Sequence, residues 1–248
     1  MEQTPIDNYQ RLYDDLPFEE TMAAIRKKTV LQFLNERKPE TLLEIGCGND
    51  SIINHYNTFK KCIVVEPSIV FFNRLKKSET LKTNDVVCVN EFFSSDLKQK
   101  ADFSNVDTVL VSGLLHELPS PKQFLKDLFE IIPFHTSIHI NVPNANSFHR
   151  LLALKSGLIN NVEELSALQI KLKQPHTFTL YSLKQVVESA GFKITKNGSF
   201  FIKPFTHLQM HNIQNNELFS KNIMQGFEKM IEYFPENGAE IFINAVKE

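Results

Sequence analysis

LLEIGCGNDS, residues 42–51, decides the fold of this chain. An apolar run of strand length breaks into Gly46 and Gly48, one residue apart, and then into Asn49, Asp50 and Ser51. Glycines at such a break reach backbone angles closed to other residues and let the main chain approach a ligand closely. A strand that ends this way is the first strand of an open α/β sheet, whose ligands sit outside the carboxyl ends of the strands. Glu44 and Asp50 bring carboxylates to the same turn, where a diphosphate site avoids added negative charge. The third glycine of a dinucleotide GxGxxG would fall at Ser51, so that fingerprint is incomplete. The turn favours a ligand with a cationic end.

The flanking sequence fits such a sheet. Phe18, Met22, Ile25, Thr29 and Phe33 recur at helical spacing and predict an amphipathic helix over residues 18–34. Strands are predicted at Thr41–Ile45, Cys62–Val65, Asp85–Val89, Val106–Ser112 and Ser137–Asn141. Helices are predicted between and beyond them at Ser51–Phe59, Ser68–Lys77, Pro121 to about Ile131, residues 146–156 and residues 162–172. Ser120-Pro121-Lys122-Gln123 has a capping serine, a proline suited to the first helical position and a glutamine able to reach back. Ser182-Leu183-Lys184-Gln185 repeats the capping pattern, and Gly191 is the residue that closes that helix. After it, Ser199–Phe205 and Glu240–Val246 read as strands around a helix at about 216–234. Alternation of short strands with helices implies a parallel, helix-covered, doubly wound sheet. With no Pro/Gly/Ser-rich linker, residues 1–248 are expected to form one domain. Residues 1–36 form an N-terminal helical lid in this reading, and residues 145–235 include helical additions on the substrate side.

Composition narrows the function. The 248 residues are 42% hydrophobic and 23% charged, as in an ordinary soluble globular protein, and 21 phenylalanines supply a bulky core. A formal net charge of −2 with no dense Lys/Arg run argues against nucleic acid as a partner. No apolar run is long enough to span a bilayer, and the N-terminus lacks the form of a signal peptide, so a cytoplasmic location is expected. Cys47, Cys62 and Cys88 form no CxxC pair and read as reduced thiols, with no metal expected. Exposed apolar surface on the helical additions could support a homodimer.

The second strand closes as IVVEPS, and Glu66 lies 20 residues beyond Gly46. An acid at this distance can accept both hydroxyls of a ribose. Here the chain resembles the class I S-adenosylmethionine-dependent methyltransferases, in their small-molecule branch. ExGxGxx with an acid at the end of strand two carries the resemblance, though many members have a third glycine where this chain has Asp50. VDTVLVSGLLHELPSPKQFL (106–125) is similar to that family's fourth strand and following turn. INVPNANSFHRLL (140–152) resembles the fifth strand end, and HTFTLYSLKQVVESAGF (176–192) the helix before the sixth strand. The C-terminal strand pair fits the family's seven-stranded, mostly parallel sheet with a reversed seventh strand. The resemblance implies that Glu44, Gly46 and Gly48, with Cys47 and Asp50 in the same turn, border the methionine part of S-adenosylmethionine. It implies that Glu66 and Pro67 border the ribose, Asn90, Glu91 and Phe92 the adenine, and Ser112 and Gly113 the sulfonium.

Methyl transfer from a sulfonium requires an in-line nucleophile about 3–3.5 Å away in a site that excludes water. An oxygen or nitrogen nucleophile can also need a base. His116 and Glu117, directly after the fourth strand, are the first candidates, and His116 could equally cap its loop. His149 and His176, in loops expected to reach over the crevice, are alternative bases or recognition residues. Tyr9 and Tyr13, Asn144, Arg150, His207, Met210 and His211 are candidate acceptor-binding residues, whereas Phe219 and Phe227 read as core. NVPN at 141–144 lies after strand five and lacks the second proline and aromatic of nucleic-acid amino-methyltransferases. The reading is therefore transfer of a methyl group to an oxygen or nitrogen of a sugar, sugar nucleotide or secondary metabolite. A non-catalytic cofactor-binding subunit is the alternative from another class. A nicotinamide-dependent oxidoreductase is disfavoured by the incomplete fingerprint.

Overall fold

The computed structural model describes residues 16–215 and 220–248. Its first helix, α1 (Glu19–Arg37), precedes β1 (Thr41–Ile45), β2 (Lys61–Val65), α2 (Ile69–Leu75), α3 (Thr80–Thr83) and β3 (Asp85–Val89). There follow β4 (Thr108–Ser112), α4 (Pro121–Ile131), β5 (Ser137–Pro143), α5 (Phe148–Lys155), α6 (Ala167–Lys171) and α7 (Leu180–Ser189). The chain closes with β6 (Lys193–Phe200), α8 (His207–Gln214), α9 (Lys221–Lys229) and β7 (Glu240–Val246). The strands form one sheet in the order β3-β2-β1-β4-β5-β7-β6. β1 to β5 are parallel, while β7 runs antiparallel between β5 and β6. Strand order reverses between β1 and β4, which opens a crevice at their carboxyl ends.

Side chains alternate across a strand, so each strand supplies both faces of the sheet. Leu43, Ile45, Ile63, Val65, Val109, Val111, Ile138 and Ile140 pack on one side with Leu125 and Leu128 of α4 and Leu183 and Val187 of α7. Leu42, Cys62, Val64 and Leu110 pack on the other with Val30, Phe33 and Leu34 of α1. A third cluster joins Phe18, Met22 and Ile25 to Phe201 and Met210. It binds the start of α1 to the additions around α8.

Several expected boundaries move. Ser51–Phe59 is not a helix: only Ile52–Asn54 forms a 3₁₀ turn, and the buried Tyr56 and Phe59 gave the segment its helical spacing. The sixth strand is Lys193–Phe200, not Ser199–Phe205. It is a lysine-bearing edge strand with a register shift between Ile194 and Lys196. The apolar Phe201 and Ile202 are buried outside the sheet, and Phe201 has a left-handed φ of 60°. The helix expected at 162–172 shrinks to α6; of the one expected at 216–234, residues 216–219 lie outside the described residues and the rest forms α9 with a 3₁₀ turn at Met230–Glu232. The cap of α7 lies three residues before the expected one. Thr179 is its N-cap, and Ser182 is the residue that reaches back to it.

Candidate active site

A crevice of about 1700 Å³, as bounded by the described residues, lies over the carboxyl ends of β1, β2 and β4. Ligand pockets run to about 1000 Å³, so it has room for a cofactor and a second substrate together. Gly46 to Asp50 form one wall, Glu66, Pro67, Ile69, Phe71, Phe92 and Phe93 another, and Ser112 to Leu114 the floor. α1 supplies Glu19, Ala23, Arg26 and Lys27 across the opening.

Turn geometry explains the glycines. Gly46 has φ +76° while its N–H donates to Val65 O at 2.9 Å, which ties the turn to β2. Gly48 has φ +56°, and a Cβ built there would meet only open space. Glu66 Oε2 accepts from Gly48 N–H at 3.1 Å, and Oε1 from Ser68 N–H at 2.8 Å. One carboxylate thus holds both strand-end turns, and burial raises its pKa despite these bonds. Asn90 Nδ2 donates to the carbonyls of Glu66 and Pro67 at 2.8 and 3.1 Å, so it braces the second turn and does not line the crevice. Glu91 pairs with Lys100 on the surface, also outside the crevice. Phe92 lines it with its ring 71% exposed. Phe93 packs on Phe124 at 5.3 Å between ring centres.

Glu44 reaches the crevice edge, but its oxygens accept from Ser51 Oγ and from Ile52 N–H, the latter at 2.9 Å. Burial, opposed by those bonds, raises its pKa to about 7. It organises the turn from inside while lining the crevice. Asp50 pairs with Lys27 and with His55 Nε2, the latter at 2.7 Å. Burial raises its pKa, but bonds from Asn54, Lys27 and His55 outweigh that and hold it at about 2. Cys47 lines the crevice as a thiol whose pKa is pushed far up by burial.

Of the four candidate bases, only Glu117 lines the crevice. Gln174 Nε2 donates to its Oε1 at 3.1 Å. His116, in the 3₁₀ turn Leu115–Glu117, is 5% exposed and its Nδ1 has no hydrogen-bond partner. Burial, with Arg26 nearby, lowers its pKa to about 3, so it is neutral at working pH. His149 is turned to Ser147 Oγ at 3.0 Å, and burial lowers its pKa well below the usual value. His176 lies 3.4 Å from Pro119 O. Neither faces the crevice.

The expected acceptor residues also divide. Among those that are described, only His211 lines the crevice, from α8. His207, at the start of α8, bonds Lys203 Nζ at 2.9 Å through Nδ1. Met210 is fully buried core. Asn144 Nδ2 donates to Glu236 O and Gly238 O, both at 2.9 Å, and fixes the chain before β7. Arg150 Nε donates to Val162 O at 2.9 Å and pins the loop between α5 and α6. Tyr9, Tyr13 and Phe219 lie outside the described residues. Sequence reasoning missed Arg26, Glu19 and Glu240, which meet beside Gly113, and Lys171 to Lys173, which border the crevice. It also missed α8, although Thr206 and Gln209 form a capping box that the sequence carries openly.

No helix among the described residues is long and apolar enough to cross a membrane. A search of curated proteins gives no match. Solved structures share the fold. A possible histamine N-methyltransferase from Thermotoga maritima matches with a TM-score of 0.61 and 16% identity, over 98% of this chain and 96% of that one. The plantazolicin methyltransferase BamL, solved with a triazolic desmethyl analogue and S-adenosylhomocysteine, gives 0.58 and 16%, over 93% and 87%. The N-methyltransferase NodS from Bradyrhizobium japonicum WM9, also with S-adenosylhomocysteine, gives 0.54 and 11%, over 94% and 89%. At these identities the likeness is one of fold, and it includes the reversed strand β7. The family model described as a methyltransferase domain matches residues 18–197, most of the chain and every wall of the crevice that β1 to β4 build, and the protein belongs to that family.

Proposed function

We propose that this protein transfers the methyl group of S-adenosylmethionine to an oxygen or nitrogen of a small molecule. The observation that carries the reading is Glu66. Its carboxylate stands between the Gly46–Asp50 turn and the Pro67 turn and lines the crevice beside Phe92. That arrangement suits a nucleoside whose ribose lies against an acid and whose base lies on an aromatic ring. The cofactor supplies an electrophilic methyl on a sulfonium, and the chain's part is to position and to exclude water. Gly46 and Gly48 leave the turn free of side chains, Ser112 and Gly113 form the floor, and Leu114, Leu118 and Leu172 form an apolar acceptor side. Glu117, held by Gln174, is the proton acceptor in this proposal, while His116 is kept neutral and away from the crevice.

Calorimetry with S-adenosylmethionine, S-adenosylhomocysteine and NAD tests the cofactor. Binding of the first two and not of NAD is expected, and binding of NAD alone would refute it. A panel of small hydroxyl and amine acceptors with labelled cofactor tests turnover. Glu117→Gln is expected to lower kcat by at least about a hundredfold, the usual range for a lost base. An unchanged kcat in that variant removes Glu117 from the role.

A further inference from the structure

The polar cluster where α1 crosses the sheet has no part in the reading above. Arg26 Nε lies 3.0 Å from each carboxylate oxygen of Glu240, and Nη2 lies 2.6 Å from Oε1. Nη2 is also 3.3 Å from Glu19 Oε1. The Glu240 side chain is 3% exposed, and Asn141 Nδ2 donates to its Oε2 at 2.8 Å. Behind Glu19, His207 Nε2 lies 3.6 Å from Oε2. The guanidinium stands over β4's end: a Cβ built on Gly113 would meet Arg26 Cζ and Nε at 3.9 Å. Gly113 and Arg26 both line the crevice.

On the proposed cofactor pose, Gly113 faces the sulfur. A lone guanidinium there would repel a sulfonium, since two like charges this close in a half-buried site interact strongly. Among the described residues two carboxylates flank it and reverse the sign, because Lys203, the buried ammonium that interacts with both, is lowered by burial to a pKa of about 7 and is mostly neutral at pH 8. We propose that Glu240 and Glu19 are positioning residues that fix Arg26 over Gly113 and make the local charge net negative, so that this wall discriminates the cationic methyl donor from its neutral thioether product. The inference rests on the cofactor reading. It adds that the wall built by α1, with Glu240 of β7 behind it, sets the relative affinity of donor and product.

The test is the ratio of Kd for S-adenosylmethionine to Kd for S-adenosylhomocysteine, by calorimetry on the full chain at pH 8. Glu240→Gln keeps the shape and removes a negative charge, so the ratio should rise about tenfold. Arg26→Gln removes the positive charge, so the ratio should fall by a similar factor. The double variant should return to within about threefold of the parent, as two opposite charge effects that add would give. A purely structural role would weaken both ligands by one factor in every variant, and that result overturns the inference. If far-UV circular dichroism shows Glu240→Gln unfolded, Glu19→Gln decides: a raised ratio supports the proposal and an unchanged ratio overturns it. A parent that binds neither ligand removes the cofactor reading itself, and this inference with it.

Discussion

Replacing His116 by Leu should flatten the acid limb of the stability curve. Burial takes the imidazole to a pKa of about 3 in the folded chain, against about 6.5 in the unfolded chain. Between those values the unfolded chain binds a proton that the folded chain refuses. Stability is therefore fully present above pH 6.5 and falls as pH drops, by about 1.4 kcal/mol per pH unit for one such group. At pH 4.5 the loss from His116 alone is ~2.7 kcal/mol. His139, sandwiched between Phe33 and Phe242 and lowered by burial to about 4, adds a second loss of the same sign. Glu44, raised by burial to about 7, works the other way: it holds a proton in the folded state that the unfolded chain loses above pH 4.5, and so it stabilises on acidification. The parent should still lose stability between pH 6.5 and 4.5. His116→Leu should lose ~2.7 kcal/mol less over that interval. At neutral pH its stability should sit within about 1.5 kcal/mol of the parent, because the imidazole it removes leaves Nδ1 unbonded. Urea unfolding followed by circular dichroism at four pH values gives both curves. Parallel curves would mean that His116 titrates normally, and the claim that burial silences it would be wrong.

Three further outcomes follow from the site. Glu66→Gln leaves one carbonyl oxygen for two N–H donors, at Gly48 and Ser68. It should cost ~1–3 kcal/mol in stability and weaken S-adenosylhomocysteine at least tenfold by calorimetry, about 1.4 kcal/mol. Phe92→Ala, at an exposed ring on the crevice wall, should weaken the same ligand while leaving Tm within about 2 °C of the parent. Gly238→Ala would set a Cβ 2.5 Å from both N and O of Phe200, so backbone must move. A loss of ~3 kcal/mol or more, or failure to fold, is expected on expression and thermal melting.

The sheet was legible in the sequence because its inner strands are buried on both faces. Such strands read as apolar runs, and β1 and β7 begin and end where the residues said they would, as does β3 at the sheet's edge. The first turn was legible because a left-handed backbone at Gly46 and Gly48 leaves a trace in residue type. β6 was not legible: an edge strand reading KITKNGSF buries little, and its polar residues resemble a loop. The next apolar run, at Phe201 and Ile202, belongs to the cluster beneath α8 and drew the expected strand toward itself. The candidate bases divide for a different reason. Position after a strand says that a side chain is near the crevice, not whether it lines it: His116 Nε2 and Glu117 Oε1 lie 3.6 Å apart, yet the imidazole is buried behind the carboxylate. Only the second reaches the crevice.

Arg26 and Glu240 were invisible for the same kind of reason, since 214 positions separate them. Their meeting follows from how the sheet's covered face changes. Under α1, Leu42, Val64 and Leu110 present an apolar surface. Further across, the same face carries His139, Asn141, Glu240 and Asn244, all buried. Stability does not explain that change, because replacing buried ion pairs with well-packed apolar residues is often neutral or stabilising. If packing alone had set these positions, leucine would serve at them as it does at residue 110. His139 and Asn244 bond each other beside Leu110, and nearer the crevice Asn141 braces Glu240, which holds the Arg26 guanidinium over Gly113. On the inference drawn above, the placement of Glu240, braced by Asn141, follows from the charge it presents toward the crevice, and the opposite shifts expected for Arg26→Gln and Glu240→Gln measure that charge.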